Sequence, residues 1–139
     1  MKNSFFSFFA LLLFSGILMT SCQKENTPSF KTQLEGHWQS SSVMVNSTDL
    51  TSFNQYKLFL EGTHEFELEY TTGLGSSTST TLTSGDWQED QEKQDVTLIF
   101  NETGEALTYE VRTITSTEMV VEFIENNNRV TVSFEKIQE

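Results

Sequence analysis

The sequence predicts an all-β protein: an eight-stranded antiparallel up-and-down meander closed into a barrel. Three observations predict it. From Leu34 onward the apolar residues recur with period 2 rather than 3.6. Short turn signals separate the alternating runs. The composition is rich in Thr, Ser, Val, Phe and Glu, with one proline and little alanine, which favours strands over helices. A two-sheet β-sandwich is the alternative arrangement of the same strands.

The elements follow in order. Strands are expected at 35–45, 54–61, 64–71, 78–91, 95–101, 106–114, 117–125 and 129–136. "HEFELEY" alternates cleanly, with Phe66, Leu68 and Tyr70 on one face and Glu65, Glu67 and Glu69 on the other. "VTLIF", "LTYEV", "MVVEF" and "VTVSF" repeat the pattern. Turns are expected near Gly62, from Gly73 to Ser76, from Glu92 to Asp95, near Gly104 and from Asn126 to Asn128. The fourth strand carries Gly85, a candidate kink or bulge. A single helical turn is conceivable in "STDLTSF", capped by Ser47 or Thr48. Short links make neighbours pair in sequence, and closing the meander removes its exposed edges.

An up-and-down path sorts the connections into two ends. The loops at 45–53, 72–77, 101–105 and 125–128 share one end, where a mouth is expected. The turns near Gly62, Glu92 and Thr115 share the other, with both tryptophans, Trp38 and Trp87. An eight-stranded barrel is just wide enough to be filled by side chains or to hold one small ligand. Bulky inward residues favour a filled lower half. A pocket, if present, lies high and is lined by Tyr56, Tyr70, Phe100, Tyr109 and Phe123. The tyrosines combine apolar faces with polar tips, which suits an amphipathic ligand, although such hydroxyls also simply reach solvent at strand ends.

Before the body, Lys2 leads an apolar run of 15 residues, Phe5 to Met19, too short for a permanent span of about 20 residues. Thr20 and Ser21 then precede Cys22, the only cysteine. Met19, Thr20, Ser21 and Cys22 resemble the bacterial lipoprotein signal. The resemblance implies cleavage before Cys22 and a lipid thioether on its sulfur. An ordinary secreted protein with a free cysteine is the alternative. "CQKEN" resembles the export tag of surface lipoproteins of the Bacteroidota, which implies an outer-membrane lipoprotein, exposed at the cell surface. The expected organisation is a signal peptide at 1–21, a lipidated cysteine and flexible tether at 22–33, and a barrel at 34–139.

Gly36-His37-Trp38 on the first strand of an eight-stranded meander resembles the lipocalin signature, and Gly85-Asp86-Trp87 repeats it. The layout is similar to the small lipocalin-like domains of Bacteroidota lipoproteins. The resemblance implies Gly36, Trp38, Gly85 and Trp87 as structural signature residues. It also implies a small hydrophobic or amphipathic ligand. For the cation that stacks on the first tryptophan in lipocalins, Lys136 and Arg112 are the two substitutes in this chain.

Other chemistries find little support. The formal charge of −12 repels phosphate backbones, which argues against nucleic-acid partners. A lone cysteine excludes an intramolecular disulfide and a Cys-pair metal site. His37 and His64 lack a third ligand, and the acidic residues from Asp86 to Asp95 lack the spacing of a calcium loop. No nucleophile–base set is legible, so no catalytic residue, metal or cofactor is expected, and the protein is read as a non-enzyme and a monomer. Two functions are left: a lipid-anchored binder of a small ligand, or an anchored interaction module with a solid core, binding protein or glycan through its loops.

Overall fold

The computed structural model describes residues 27–138. The expected signal peptide, Cys22 and the first part of the expected tether lie outside the described residues.

Alternating sequence becomes nine strands: β1 (Gly36–Val45), β2 (Thr48–Asp49), β3 (Asn54–Leu60), β4 (Glu65–Leu74), β5 (Ser77–Asp90), β6 (Asp95–Phe100), β7 (Ala106–Ile114), β8 (Glu118–Glu125) and β9 (Asn128–Ile137). Every pairing is antiparallel; the two-residue β2 pairs only with the end of β1 as a small flap, and β3 takes the place beside β1 in the barrel. β1 also pairs with β9 from His37↔Ile137 to Val45↔Val130, so eight strands close into a barrel and the sandwich alternative is set aside. Asn46 sews this seam at its upper end, donating from Nδ2 to Asn128 Oδ1 at 2.7 Å and accepting from the Arg129 amide at 2.9 Å. The β8–β9 turn has positive φ at both Asn126 and Asn127, the backbone a two-residue hairpin of right-handed twist requires.

The structure corrects four expectations. Residues 30–33, read as tether, belong to a short helix, α1 (Phe30–Leu34), capped by Ser29, whose Oγ accepts from the Thr32 amide. Phe30 and Leu34 are both buried, so the folded unit starts before Leu34. No helix forms from Ser47, which sits with Asn46 in the β1–β2 turn; the next turn runs from Leu50, whose carbonyl accepts from the Phe53 and Asn54 amides, and Asp49 rather than Ser47 or Thr48 caps it through the Thr51 amide. Gly85 is not a bulge, since β5 pairs without a register shift on both sides. The bulges lie in β1 between Ser40 and Ser42 and in β7 between Val111 and Thr113.

One hydrophobic core fills the barrel, from Trp38, Phe66 and Trp87 through Leu58, Leu98 and Val132 to Tyr56, Tyr109 and Phe123. The outer face carries the charge, including a Lys57–Glu69 pair at 2.9 Å between β3 and β4.

Candidate functional site

Both tryptophans sit at one end of the barrel, which is closed. Trp38 and Trp87 are fully buried, and each indole needs a partner for its N–H. Trp38 Nε1 donates to the Leu34 carbonyl at 2.7 Å, so it grips the last turn of α1. Trp87 Nε1 donates to the Glu61 carbonyl at 2.9 Å, holding the β3–β4 turn. Lys31 joins helix to turn by donating to the Gly62 carbonyl at 3.0 Å. Lys136 Nζ lies 4.7 Å from the Trp38 ring centre and donates to the Gln33 carbonyl. Burial holds the Lys136 pKa below its ordinary value, opposed by nearby Glu35. The cation on the first tryptophan is therefore Lys136. Arg112 lies on the outer surface with Glu110 and Glu122.

The two Gly-x-Trp repeats use glycine for different reasons. Gly36 has φ +128°, outside the range L side chains favour, and a Cβ there would sit 2.9 Å from Lys136 Cε. Gly85 has ordinary backbone angles but lies against the Ile99 carbonyl and the Phe66 ring.

The opposite end gathers four of the five candidate ligand residues. Tyr56 stacks on Tyr70 with ring centres 4.7 Å apart and meets Phe123 edge-on at 6.4 Å. Tyr109 packs on Phe123 at 4.8 Å. Phe100 stands apart from this group, edge-on to Phe66 at 5.4 Å. Tyr70 is half-buried and donates to Asn54 Oδ1 at 2.9 Å, while Tyr56, Tyr109 and Phe123 are buried. The rings touch one another, so the space between them is occupied by side chains. Sequence reasoning missed the rim above them. Phe53 and Leu74 are 46% and 51% exposed, and the Gly73 amide donates to the Phe53 carbonyl at 2.8 Å, tying the β2–β3 loop to the β4–β5 hairpin. Both lie in loops assigned to the mouth, but neither falls in an alternating run, so periodicity gave no signal.

Surface clefts lie on the outside of the barrel. One of about 470 Å³ follows Gln39–Ser41 and Glu135–Gln138. Another of about 170 Å³ crosses the stacked His37 and Phe59 rings. His64 pairs with Glu89 at 3.3 Å, and Asp90 accepts from the Glu92 and Lys93 amides, which hold its carboxyl below the usual range. Among the described residues no group of three or more His, Cys, Asp or Glu side chains could hold a metal ion.

The buried tyrosines make the barrel sensitive to alkali. Burial pushes the Tyr56 and Tyr109 hydroxyls well above their ordinary pKa, helped at Tyr56 by Tyr70 and at both by Glu125. The unfolded chain releases these protons from about pH 10, while the folded chain retains them. Stability is therefore fully present below about pH 10 and falls above it, with the unfolded state binding fewer protons. Urea midpoints between pH 8 and 11.5 should fall, and Tyr109→Phe should flatten that fall. Equal slopes in the two proteins would remove Tyr109 as a cause.

No family model and no curated protein matches the chain. Solved structures do. The chain is similar to a redesigned β-barrel, with a TM-score of 0.53 at 8% identity, covering 78% of this chain and 95% of that one. It is also similar to bovine odorant-binding protein complexed with a selenium-containing odorant, with a TM-score of 0.51 at 11% identity, covering 84% and 78%. At these identities the likeness is one of fold: the body is an eight-stranded antiparallel closed barrel like theirs.

Proposed function

We propose that the chain is a lipid-anchored protein of a bacterial outer membrane, exposed at the cell surface, whose barrel takes up a small hydrophobic or amphipathic molecule. One observation carries this reading. The barrel is closed at one end by α1 and two tryptophans, and at the other it sets a tyrosine–phenylalanine cluster beneath the exposed apolar residues Phe53 and Leu74. Entry would part the rings, exchanging ring–ring contacts for ring–ligand contacts while the hydroxyls take the polar end. That a barrel of the same fold holds an odorant in the bovine complex supports the reading. The role is binding, with no reacting group assigned.

The anchor fits the orientation. A lipidated Cys22 would lie eight residues before α1, a reach of at most about 29 Å, and α1 packs at the closed end. Acyl chains contribute about 0.8 kcal/mol per buried CH₂, so several hold firmly. The mouth then faces away from the membrane. The mutual contact of the rings favours a second reading, an interaction module with a filled core that binds protein or glycan through its upper loops.

Native mass spectrometry of the full chain from its own host separates the two. A co-purifying small molecule, lost in Tyr70→Ala and Tyr109→Ala, is the expected result. A bare chain whose upper-end tyrosine signals are unmoved by long-chain aldehydes or fatty acids would leave the interaction module. Cys22→Ser should shift the protein from the membrane to the soluble fraction; continued membrane fractionation would end the anchor reading.

A further inference from the structure

The β4–β5 hairpin outgrows the barrel. β6 pairs with β5 only from Gly85↔Phe100 to Asp90↔Asp95, so Ser77 to Ser84 have β4 on one side and no strand on the other. Ser84 marks where cover stops: its carbonyl accepts from the Asn101 amide at 3.0 Å, on the β6 side. Backbone groups alternate sides along a strand. The Trp87 amide, three residues on, accordingly points the other way, to the His64 carbonyl. By the same alternation Thr78, Thr80 and Leu82 aim their N–H and C=O groups at the open edge.

Edges of this kind are usually protected by lysine, proline, a bulge or an inward charge. This one has none of them. No charged residue occurs from Tyr70 to Gly85 in a chain of net charge −12, whereas the outward positions of lower β4 are Glu65, Glu67 and Glu69. Two copies of most outer surfaces would repel, but two copies of this edge would not. All six side chains from Ser77 to Leu82 are exposed, Leu82 by 63% on the outer face.

We propose that this edge pairs with the same edge of a second copy, antiparallel about a two-fold axis at Thr80. That register sets Thr80 against Thr80 and Thr78 against Leu82, each pair exchanging both backbone hydrogen bonds. It satisfies all three open residues and leaves the Ser84–Asn101 bond in place. Each Leu82 is laid beside the partner's Thr78 on a continuous outer face. The closed ends then point in opposite directions, so anchored copies would stand on facing membranes; that consequence, unlike the pairing, rests on the orientation proposed above.

The test uses the full chain in detergent micelles, which leave both orientations free. Light scattering coupled to gel filtration should show a dimer whose dissociation constant rises at least tenfold in Thr80→Pro. That proline removes an N–H facing the open edge and the exposed Thr80–Thr71 hydroxyl contact, but no β4–β5 backbone hydrogen bond, so hairpin and barrel should keep their circular dichroism and melt within a few degrees of the parent. Leu82→Lys should weaken the dimer similarly. Thr80→Cys should form an intermolecular disulfide on oxidation, beyond any background from Cys22 in the parent, because hydrogen-bonded antiparallel pairs hold Cα atoms about 5.5 Å apart. A monomer up to several hundred micromolar would overturn the proposal, including one that binds an unrelated extended peptide at this edge. So would a dimer untouched by both Thr80→Pro and Leu82→Lys.

Discussion

Replacing Trp38 with alanine should lower the unfolding free energy by about 4 kcal/mol, within the range for large buried aromatics. Three losses coincide at this side chain. Its ring is fully buried in the closed end. Its N–H satisfies the Leu34 carbonyl, so truncation leaves a helix-end acceptor without its donor inside the core. Its face holds the Lys136 ammonium, which truncation strands in a partly buried site where its charged form is already disfavoured. The contributions separate by substitution. Trp38→Phe keeps an aromatic face and loses the donor, with an expected cost of about 1–3 kcal/mol. Lys136→Met keeps the stem and loses the cation, at about 0.5–2 kcal/mol. Urea unfolding followed by circular dichroism measures all three against the parent. A loss below about 1 kcal/mol in Trp38→Ala would mean that α1 does not depend on the indole.

What the sequence disclosed follows from what period 2 encodes. Phe66-x-Leu68-x-Tyr70 reads as a strand because every second side chain meets the same core, and the structure buries Phe66 and Leu68 with Tyr70 packed at the rim. The same logic placed both tryptophans at one end, since counting turns in a meander needs no contact information. It failed at Val43. The bulge at Ser41 inserts one residue, so the inward phase passes from Trp38 to Val43 instead of to Ser42 and Met44. Nothing in "QSSSV" announces such a slip. Phe30 and Leu34 were hidden differently. Their i, i+4 spacing fits one helical turn, but one turn is too short to form a period, and its burial depends on Trp38 and on Lys136 from the far end of the chain. Lys136 itself was narrowed to two choices by sequence and resolved only by closure, because the β1–β9 pairing sets it opposite Trp38. In the candidate site, alternation found the rings but not the lip, since Phe53 and Leu74 lie where alternation ends.

Gly85→Ala should cost on the order of 3 kcal/mol, although one methyl group is all it adds to the core. The conflict is spatial, since Gly85 has no positive φ to relieve. Its β-position would collide with the Ile99 carbonyl oxygen and lie 2.9 Å from both the Ile99 carbonyl carbon and Phe66 Cε1. Backbone cannot swing aside as the end of a lysine can, so β5 and β6 would have to separate or shift. Register explains the crowding. Gly85 pairs with Phe66 on β4 and with Phe100 on β6, and these rings meet edge-on at 5.4 Å across the glycine. Two aromatic neighbours thus cover a strand position that has no side chain of its own. Gly75 supplies the control: its φ is +56° with open space around it, so alanine there adds backbone strain alone, about 1 kcal/mol. Paired urea titrations of the two variants should rank Gly85→Ala well below Gly75→Ala in stability, with Trp87 fluorescence red-shifted in the first because β5 carries that indole two residues on. If Gly85→Ala stays within 0.5 kcal/mol of the parent, a margin typical of substitutions away from special sites, the close strand approach is not what this glycine is there to permit.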